Sequence, residues 1–229
     1  MTTDRRAALR IDGMTFRFVQ SSSASVLRVP SDRPESSLEV NPVRVLGDDY
    51  RRWSRLLVGL LGLALALFGV LATVMVPASG ARLMPSDVIL AVIGVPVGLS
   101  GLGILVALHV SGRRLLRALG WWTRERFRNG SARPTAGGWV TARTVNFEPP
   151  VLARIAASAL TGLAAILALS VVAYPTPAGS PNLVPGSLVA GVLLAAVAVC
   201  LMGGVMRLVN AAAEADPLWT RIRGAFRRK

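Results

Sequence analysis

Few residues of this chain have the chemistry that catalysis or metal binding requires. The 229 residues include one His and one Cys, so neither a multi-histidine metal site nor an intramolecular disulfide can form. His109 has no acidic residue within one helical turn, and Cys200 stands between two apolar residues. His109 is therefore predicted to be a packed or interfacial residue, and Cys200 a small packing residue with a buried thiol. We expect a protein that is not an enzyme and that carries no cofactor and no metal.

The glycine run 98–103 superficially resembles a nucleotide-binding loop. Its glycines do not follow the G-x-G-x-x-G order, and no alternation of strand and helix surrounds them. The run also lies in an uncharged, apolar stretch. A dinucleotide site is therefore rejected on its context.

The composition is that of an integral membrane protein. Hydrophobic residues make up 52% of the chain and charged residues only 17%, and the mean hydropathy is +0.53. About 20 apolar residues in a helix cross the hydrocarbon core of a bilayer. Four segments of roughly that length are free of charge, the last two being separated by a loop with three prolines: 56–76, 88–112, 155–174 and 183–206. We predict an all-α fold with four transmembrane helices in two hairpins.

The basic residues indicate the orientation of these spans. Of the 26 Lys and Arg residues, 25 lie outside the two short loops 77–87 and 175–182. Basic residues accumulate on the cytoplasmic side, so both termini and the central loop are predicted to be cytoplasmic, in a bacterial plasma membrane. Because topology accounts for the net charge of +14, nucleic acid is not expected as a partner. The predicted organisation is a cytoplasmic segment 1–55, a hairpin 56–112, a cytoplasmic loop 113–154, a second hairpin 155–206 and a basic tail 207–229.

The cytoplasmic parts carry weaker patterns. Residues 15–19, 25–29 and 139–147 alternate like strands, and either a small β element or irregular polypeptide is compatible with them. Residues 112–127 continue the second span as an amphipathic helix, and the tail 218–229 repeats its basic and apolar chemistry. Such helices either lie on the inner leaflet or dock on a partner.

Arginine and tryptophan residues next to the spans predict anchors at the level of the lipid headgroups. Tryptophan favours the interface, and arginine reaches acidic headgroups. The predicted anchors are Arg51, Arg52, Trp53, Trp121, Trp122 and Trp219. Acidic lipids of the inner leaflet are therefore expected partners.

Small residues recur at helix-packing intervals within the spans. Rows of small residues let helix backbones approach closely, which drives association in lipid. Such a row closes the chain's own bundle, binds another chain, or does both. The candidates are Gly94, Pro96, Gly98, Gly101, Ala157 and Thr161. The second span is the first choice for a partner contact, because it combines its glycines with a proline that is expected to kink it.

The segment that precedes the first span carries a resemblance to a known family. Asp48-Asp49-Tyr50-Arg51-Arg52-Trp53 closes a polar N-terminal segment, four spans follow, and the tail is basic. With its arginine-dominated, Ala-, Gly- and Val-rich composition, typical of actinobacteria, the chain resembles the LucB-like accessory membrane subunits of mycobacterial Mce lipid importers. The resemblance covers the architecture of the whole chain and implies a subunit that packs laterally against permease helices. It implies no catalytic residues.

Three functions are compatible with these patterns. The preferred one is a non-enzymatic accessory or stabilising subunit of a multi-protein membrane complex. A stand-alone carrier or channel would need a polar lining, for which the spans offer only Thr73, Ser100, Ser158, Thr161, Ser170 and Ser187. A membrane-bound enzyme or sensor would need clustered carboxylates or histidines in the cytoplasmic part, and the sequence has none.

Overall fold

The computed structural model describes residues 18–27, 41–75, 85–128, 144, 147–173 and 183–213. Helices dominate these residues, and none of the described residues belongs to a strand. The helices are α1 (Ser21–Leu27), α2 (Pro42–Arg51), α3 (Trp53–Val70), α4 (Pro85–Arg128), α5 (Pro149–Ser170) and α6 (Leu183–Ala213), with a π-helical turn, Leu71–Met75, after α3.

Four stretches of helix are long and apolar enough to cross a membrane. They are Pro42–Val74, Pro85–Glu125, Pro149–Ser170 and Val184–Ala213. The all-α class and the four spans predicted from the uncharged runs are therefore confirmed. Each helix extends beyond its predicted span at the end that adjoins charged residues, because a charge ends a favourable membrane segment but does not end a helix. The third helix ends at Ser170, four residues before the predicted end of its span.

The chain divides into two compact units, and α3, α4, α5 and α6 each contribute to both. The first unit contains the described residues of Met1–Arg55, Ala107–Ala153 and Gly203–Lys229. The second contains those of Leu56–Val106 and Arg154–Met202.

In the first unit, α1 packs on α2. Asn41 begins α2, because its side-chain oxygen accepts hydrogen bonds from the backbone N–H of Val43 (3.2 Å) and Arg44 (3.5 Å), and Pro42 occupies the first helical position, where it loses no hydrogen bond. On α1, Ser23 and Val26 are three residues apart and both buried. That spacing is helical.

This helix corrects one of the strand candidates. Residues 25–27 belong to α1, because burial of one helical face outweighs the alternating pattern that predicted a strand. The candidate 15–19 is described only at 18–19, which are not extended, and 139–147 only at 144 and 147. The remaining residues of the three candidates lie outside the described part, as does the tail segment 218–229.

Long-range polar contacts join the parts of the first unit. The buried carboxylate of Asp49 accepts a hydrogen bond from the Gln20 backbone N–H at 3.1 Å. Arg55 donates to the Phe18 carbonyl and to the Ser111 hydroxyl, each at 2.7 Å. The guanidinium therefore links the polypeptide before α1 to α4.

The second unit has an apolar core at the level of the membrane. Its centre is formed by Leu63 of α3, Ala165 of α5 and Leu194 of α6. Partly buried leucine, alanine and valine residues of the same helices and of α4 pack around this centre. The core is built from medium and small side chains, and this lets the helix backbones approach closely.

Candidate helix-contact and membrane-interface sites

The closest helix contact in the second unit is a glycine seam between α3 and α4. A Cβ atom on Gly98 would lie 2.9 Å from the Cα of Gly69, and one on Gly94 would lie 2.5 Å from the Cβ of Ala72. Carbon atoms that are not bonded normally approach to about 3.5–4.0 Å. Neither position therefore accepts a side chain without moving a helix.

The seam continues at Gly101. A Cβ atom there would lie 2.5 Å from the backbone nitrogen of Ala66 and 2.6 Å from the carbonyl oxygen of Gly62. From α3, a Cβ atom on Gly62 would lie 2.9 Å from the side chain of Ile104. Five glycines and two alanines thus line a contact made largely of backbone atoms.

This geometry decides where the predicted packing residues of the second span lie. Gly94, Gly98 and Gly101 are buried against the first span of the same chain. The expectation that these glycines meet another chain is therefore revised, because α3 already occupies their face. Pro96 is exposed, and α4 continues through it as one helix.

The two candidates of the third span differ in burial. Thr161 is buried, whereas Ala157 is only half-buried. The buried residues of this helix are Val151, Arg154, Ser158, Thr161 and Ala165. Their alternating three- and four-residue intervals follow the helix period.

A hydrogen bond joins α5 to α6. The buried hydroxyl of Ser158 donates to the carbonyl oxygen of Ala198 at 2.9 Å. Cys200 lies two residues further along α6 and is exposed. Its prediction as a buried packing residue is wrong, because the buried face of α6 passes through Leu194, Ala198 and Val205.

The hydroxyl groups that a polar pore would need are engaged with the backbone. Each of the six donates to a carbonyl oxygen: Thr73 to Gly69, Ser100 to Val97, Ser158 to Ala198, Thr161 to Ala157, Ser170 to Leu167 and Ser187 to Val184. Five of these acceptors lie in the donor's own helix, so the hydrogen-bonding need of the serine or threonine hydroxyl is met within that helix. Their hydroxyl protons are not directed at a solute.

The predicted anchors near the first span differ in their surroundings. Arg51 forms an ion pair with Glu148 at 2.8 Å. Arg52, which is exposed, adopts an extended conformation between α2 and α3. Trp53 begins α3 with 51% of its surface exposed. Arg52 and Trp53 are therefore exposed, whereas Arg51 holds two parts of the first unit together.

The anchors on α4 are also divided. The rings of Trp121 and Trp122 meet edge to face, with centroids 4.7 Å apart. Trp121 is exposed, but Trp122 retains only 4% of its surface. Leu115 and Leu119 are buried with it, so this apolar face is covered by the protein itself and is not left for lipid. Trp219 lies outside the described residues.

The contact between Tyr50 and Gly204 in the first unit was not predicted from the sequence. The Tyr50 hydroxyl lies where a Cβ atom of Gly204 would stand, and Tyr50 itself is buried. Tyr50 was seen only as part of the segment before the first span. Because residue 204 is a glycine, there is room for the ring and hydroxyl of Tyr50. Residues so far apart in the sequence form no periodic pattern from which their contact could be predicted.

The described residues contain no group of three or more His, Cys, Asp or Glu side chains that could hold a metal ion. His109 is half-buried, and Arg113 of α4 and Arg207 of α6 interact with its ring electrostatically.

No family model matches the chain, and no curated protein and no solved structure is significantly similar to it.

Proposed function

We propose that this protein is a non-enzymatic accessory or stabilising subunit of a multi-protein membrane complex, bound through a lateral helix contact. The single observation that carries the proposal is an exposed, regularly spaced stripe on α4. The span on α4 is the least buried of the four, with 17% of its most apolar window buried against 28% for each of the others. Most of this helix therefore faces lipid or another protein.

The stripe has the spacing of a helix-packing seam. Its members are exposed and recur alternately every three and four residues: Ile89, Val92, Pro96, Leu99, Gly103 and Val106. This is the interval at which side chains of one helix fit between those of a second, nearly parallel helix. The stripe lies entirely within the second unit.

Gly103 distinguishes the stripe from an ordinary lipid-facing surface. A Cβ atom on Gly103 would meet no heavy atom within 4 Å, so the glycine is not required by packing inside the chain. Lipid tails fit against leucine as well as against glycine, whereas a second helix approaches more closely over a small residue. A neighbouring transmembrane helix accounts for a glycine at this position better than lipid does.

The proposed partner is a transmembrane permease subunit, as the resemblance to accessory subunits of actinobacterial Mce-type lipid importers implies. In this arrangement both termini and the central loop face the cytoplasm of a bacterial plasma membrane, and the exposed Arg52 and Trp53 contact acidic lipids of the inner leaflet. The six hydroxyl groups of the described spans weigh against a stand-alone carrier or channel, since each donates its proton to a carbonyl oxygen of the chain.

Co-purification from native membranes in mild detergent tests the proposal. We expect the tagged chain to bring down integral membrane subunits that mass spectrometry identifies as permeases. Gly103→Leu should reduce their recovery roughly fivefold or more, because overpacking a helix seam typically costs about 1–3 kcal/mol. The amount of the chain in the membrane should not change, since the new side chain points into open space.

The matched control is Ala159→Leu, which adds a bulky side chain at an exposed position of α5. This variant should leave the recovery of the permeases intact. Purification of the wild-type chain alone and monodisperse, or equal recovery with the two variants, would contradict the proposal.

A further inference from the structure

The part of α4 that follows the uncharged run carries an exposed basic face. Residues 113–128 contain six arginines and one acidic residue. Within 113–125, the exposed residues are Arg113, Arg114, Arg117, Trp121 and Arg124. Four of them, at 113, 117, 121 and 124, recur every three or four residues and therefore lie along one side of the helix. We call these four residues the basic face; all of them belong to the first unit.

The opposite side of the same segment is covered by the protein. Leu115, Leu119 and Trp122 are buried. A helix that lies on a leaflet inserts its apolar side into the lipid, and here that side is already packed against the chain. The basic face is therefore the side of this segment that is left for binding.

The basic face extends beyond the lipid headgroups. α4 is one helix over Pro85–Arg128, and Arg124 follows the last residue of the uncharged run, Gly112, by 12 residues. With that run in the hydrocarbon, Arg124 stands about 14–18 Å above it for helix tilts of about 0–40°. The headgroup layer is only about 5–8 Å thick on each side. Lipid therefore reaches the start of the basic face, at Arg113, but not its end.

The charges of the basic face require acidic partners. Arg113 and Arg117 form no ion pair with any residue that the structure describes. Like charges along one side of a helix repel each other, and carboxylates placed between them relieve that repulsion. Guanidinium groups bind carboxylates through two parallel hydrogen bonds. A row of carboxylates is therefore complementary to this face.

Trp121 indicates that the carboxylates belong to a protein. Its ring is 41% exposed, and it rests edge to face on the buried ring of Trp122, with centroids 4.7 Å apart. A ring held in this way loses little conformational freedom when a partner covers it. Tryptophan and arginine are the residues most enriched among those that dominate protein–protein binding energies. An exposed, supported tryptophan between arginines is thus typical of a protein-binding surface.

We propose that the basic face docks an acidic surface of a cytoplasmic protein, with carboxylates paired to the arginines and an apolar side chain against Trp121. This contact is distinct from the lateral contact at Gly103, which lies in the second unit. It rests on the cytoplasmic orientation in the proposed function and on no other part of it.

Binding of a synthetic peptide to the full-length chain in neutral detergent tests the chemistry. The probe is a labelled helical peptide with glutamate at every third or fourth residue and leucine between them; the comparison peptide has glutamine in place of glutamate. By fluorescence anisotropy, we expect the glutamate peptide to bind at least about tenfold more tightly. Arg117→Gln should weaken it about threefold, as for one exposed ion pair, and Trp121→Ala about tenfold or more.

Arg44→Gln and Trp53→Ala are the matched controls. Both side chains are exposed in the same unit, away from the basic face in the sequence, and their loss should leave the affinity unchanged. Equal affinity for the two peptides, or equal weakening by the controls and by the variants of the basic face, would refute the proposal. Gly103→Leu should also leave peptide binding unchanged, so a failure of the lateral contact would be seen separately.

Carbodiimide coupling in native membranes decides between a protein and other occupants. The chain has one lysine, Lys229, so Arg117→Lys adds one amine to the basic face and keeps its charge. A carbodiimide joins this amine to a carboxylate in contact with it. We expect a product in which residue 117 is linked to an Asp or Glu of a second protein, with a yield that Trp121→Ala lowers about fivefold or more.

Arg44→Lys is the control for coupling, because residue 44 faces Asp48 of its own helix at 3.8 Å. It should add no second protein. The absence of a protein product at residue 117 would refute the proposal, since a phospholipid without a carboxylate or a nucleic acid on this face would leave the amine uncoupled. Equal yields of protein product from Arg117→Lys and Arg44→Lys would refute it as well. A reporter fusion that placed the C-terminus outside the cytoplasm would refute the orientation, whereas the peptide affinities do not depend on it.

Discussion

Gly98→Ala probes the glycine seam with the smallest possible change. The added Cβ would stand 2.9 Å from the Cα of Gly69, so α3 and α4 must separate locally by about 0.6–1.1 Å to restore an ordinary carbon contact. The atom that must move belongs to the backbone and cannot rotate away. Overpacking of this kind typically costs about 1–3 kcal/mol of unfolding free energy.

The control is Gly103→Ala in the same helix, at a position with no neighbour within 4 Å. Alanine favours the helix over glycine by about 1 kcal/mol at either position, so this gain cancels when the two variants are compared. Unfolding in mixed micelles by titration with a denaturing detergent, followed by far-ultraviolet circular dichroism, measures the difference. We expect Gly98→Ala to be less stable than Gly103→Ala by about 1–3 kcal/mol. Equal stability would refute the close approach of α3 and α4.

Further predictions concern orientation, helix contacts and the N-terminal segment. A reporter active only in the cytoplasm should work when it is fused after Lys229 and fail within 175–182; the reverse would overturn the orientation. Ser158→Ala should lower the unfolding free energy by about 0.6–1.7 kcal/mol. Ser170→Ala should have a smaller effect, because the Ser170 hydroxyl bonds only within its own helix. Equal losses would contradict a role for the hydrogen bond between the helices. Arg55→Ala should speed chymotrypsin cleavage at the phenylalanine whose carbonyl this arginine binds, and an unchanged rate would show that the contact does not hold the segment.

The sequence predicts the four spans well because one physical requirement dominates them. A segment in hydrocarbon must be long, uncharged and internally hydrogen-bonded, and each of these conditions can be seen residue by residue. The ends of the helices are harder, since polar residues also form helices. The helix α2, which begins with an Asn41 cap and a proline in the first turn, was not predicted, because its polar sequence has no pattern of a membrane span.

Burial within the spans could not be predicted to the same degree. Cys200 and Ala198 are both small residues of one apolar helix, yet only Ala198 is buried. In a soluble protein the polar face would have identified the exposed side, but in a membrane helix both faces are apolar. The same ambiguity explains why Trp122 was expected at the lipid interface although the protein covers it.

The second span has one helix contact within the chain and a second, exposed face for which we propose a partner. Its glycines at 94, 98 and 101 face α3 and the π-helical turn after it, where a side chain would collide. Gly103 has no such neighbour, and it belongs to the exposed stripe on another face of α4. A pattern of small residues indicates close approach but does not name the approaching helix. In the structure the glycines at 94, 98 and 101 contact the first span, whereas Gly103 is exposed and free to meet a partner. A substitution at 98 should therefore lower the stability of the chain, and one at 103 should weaken its assembly with a partner.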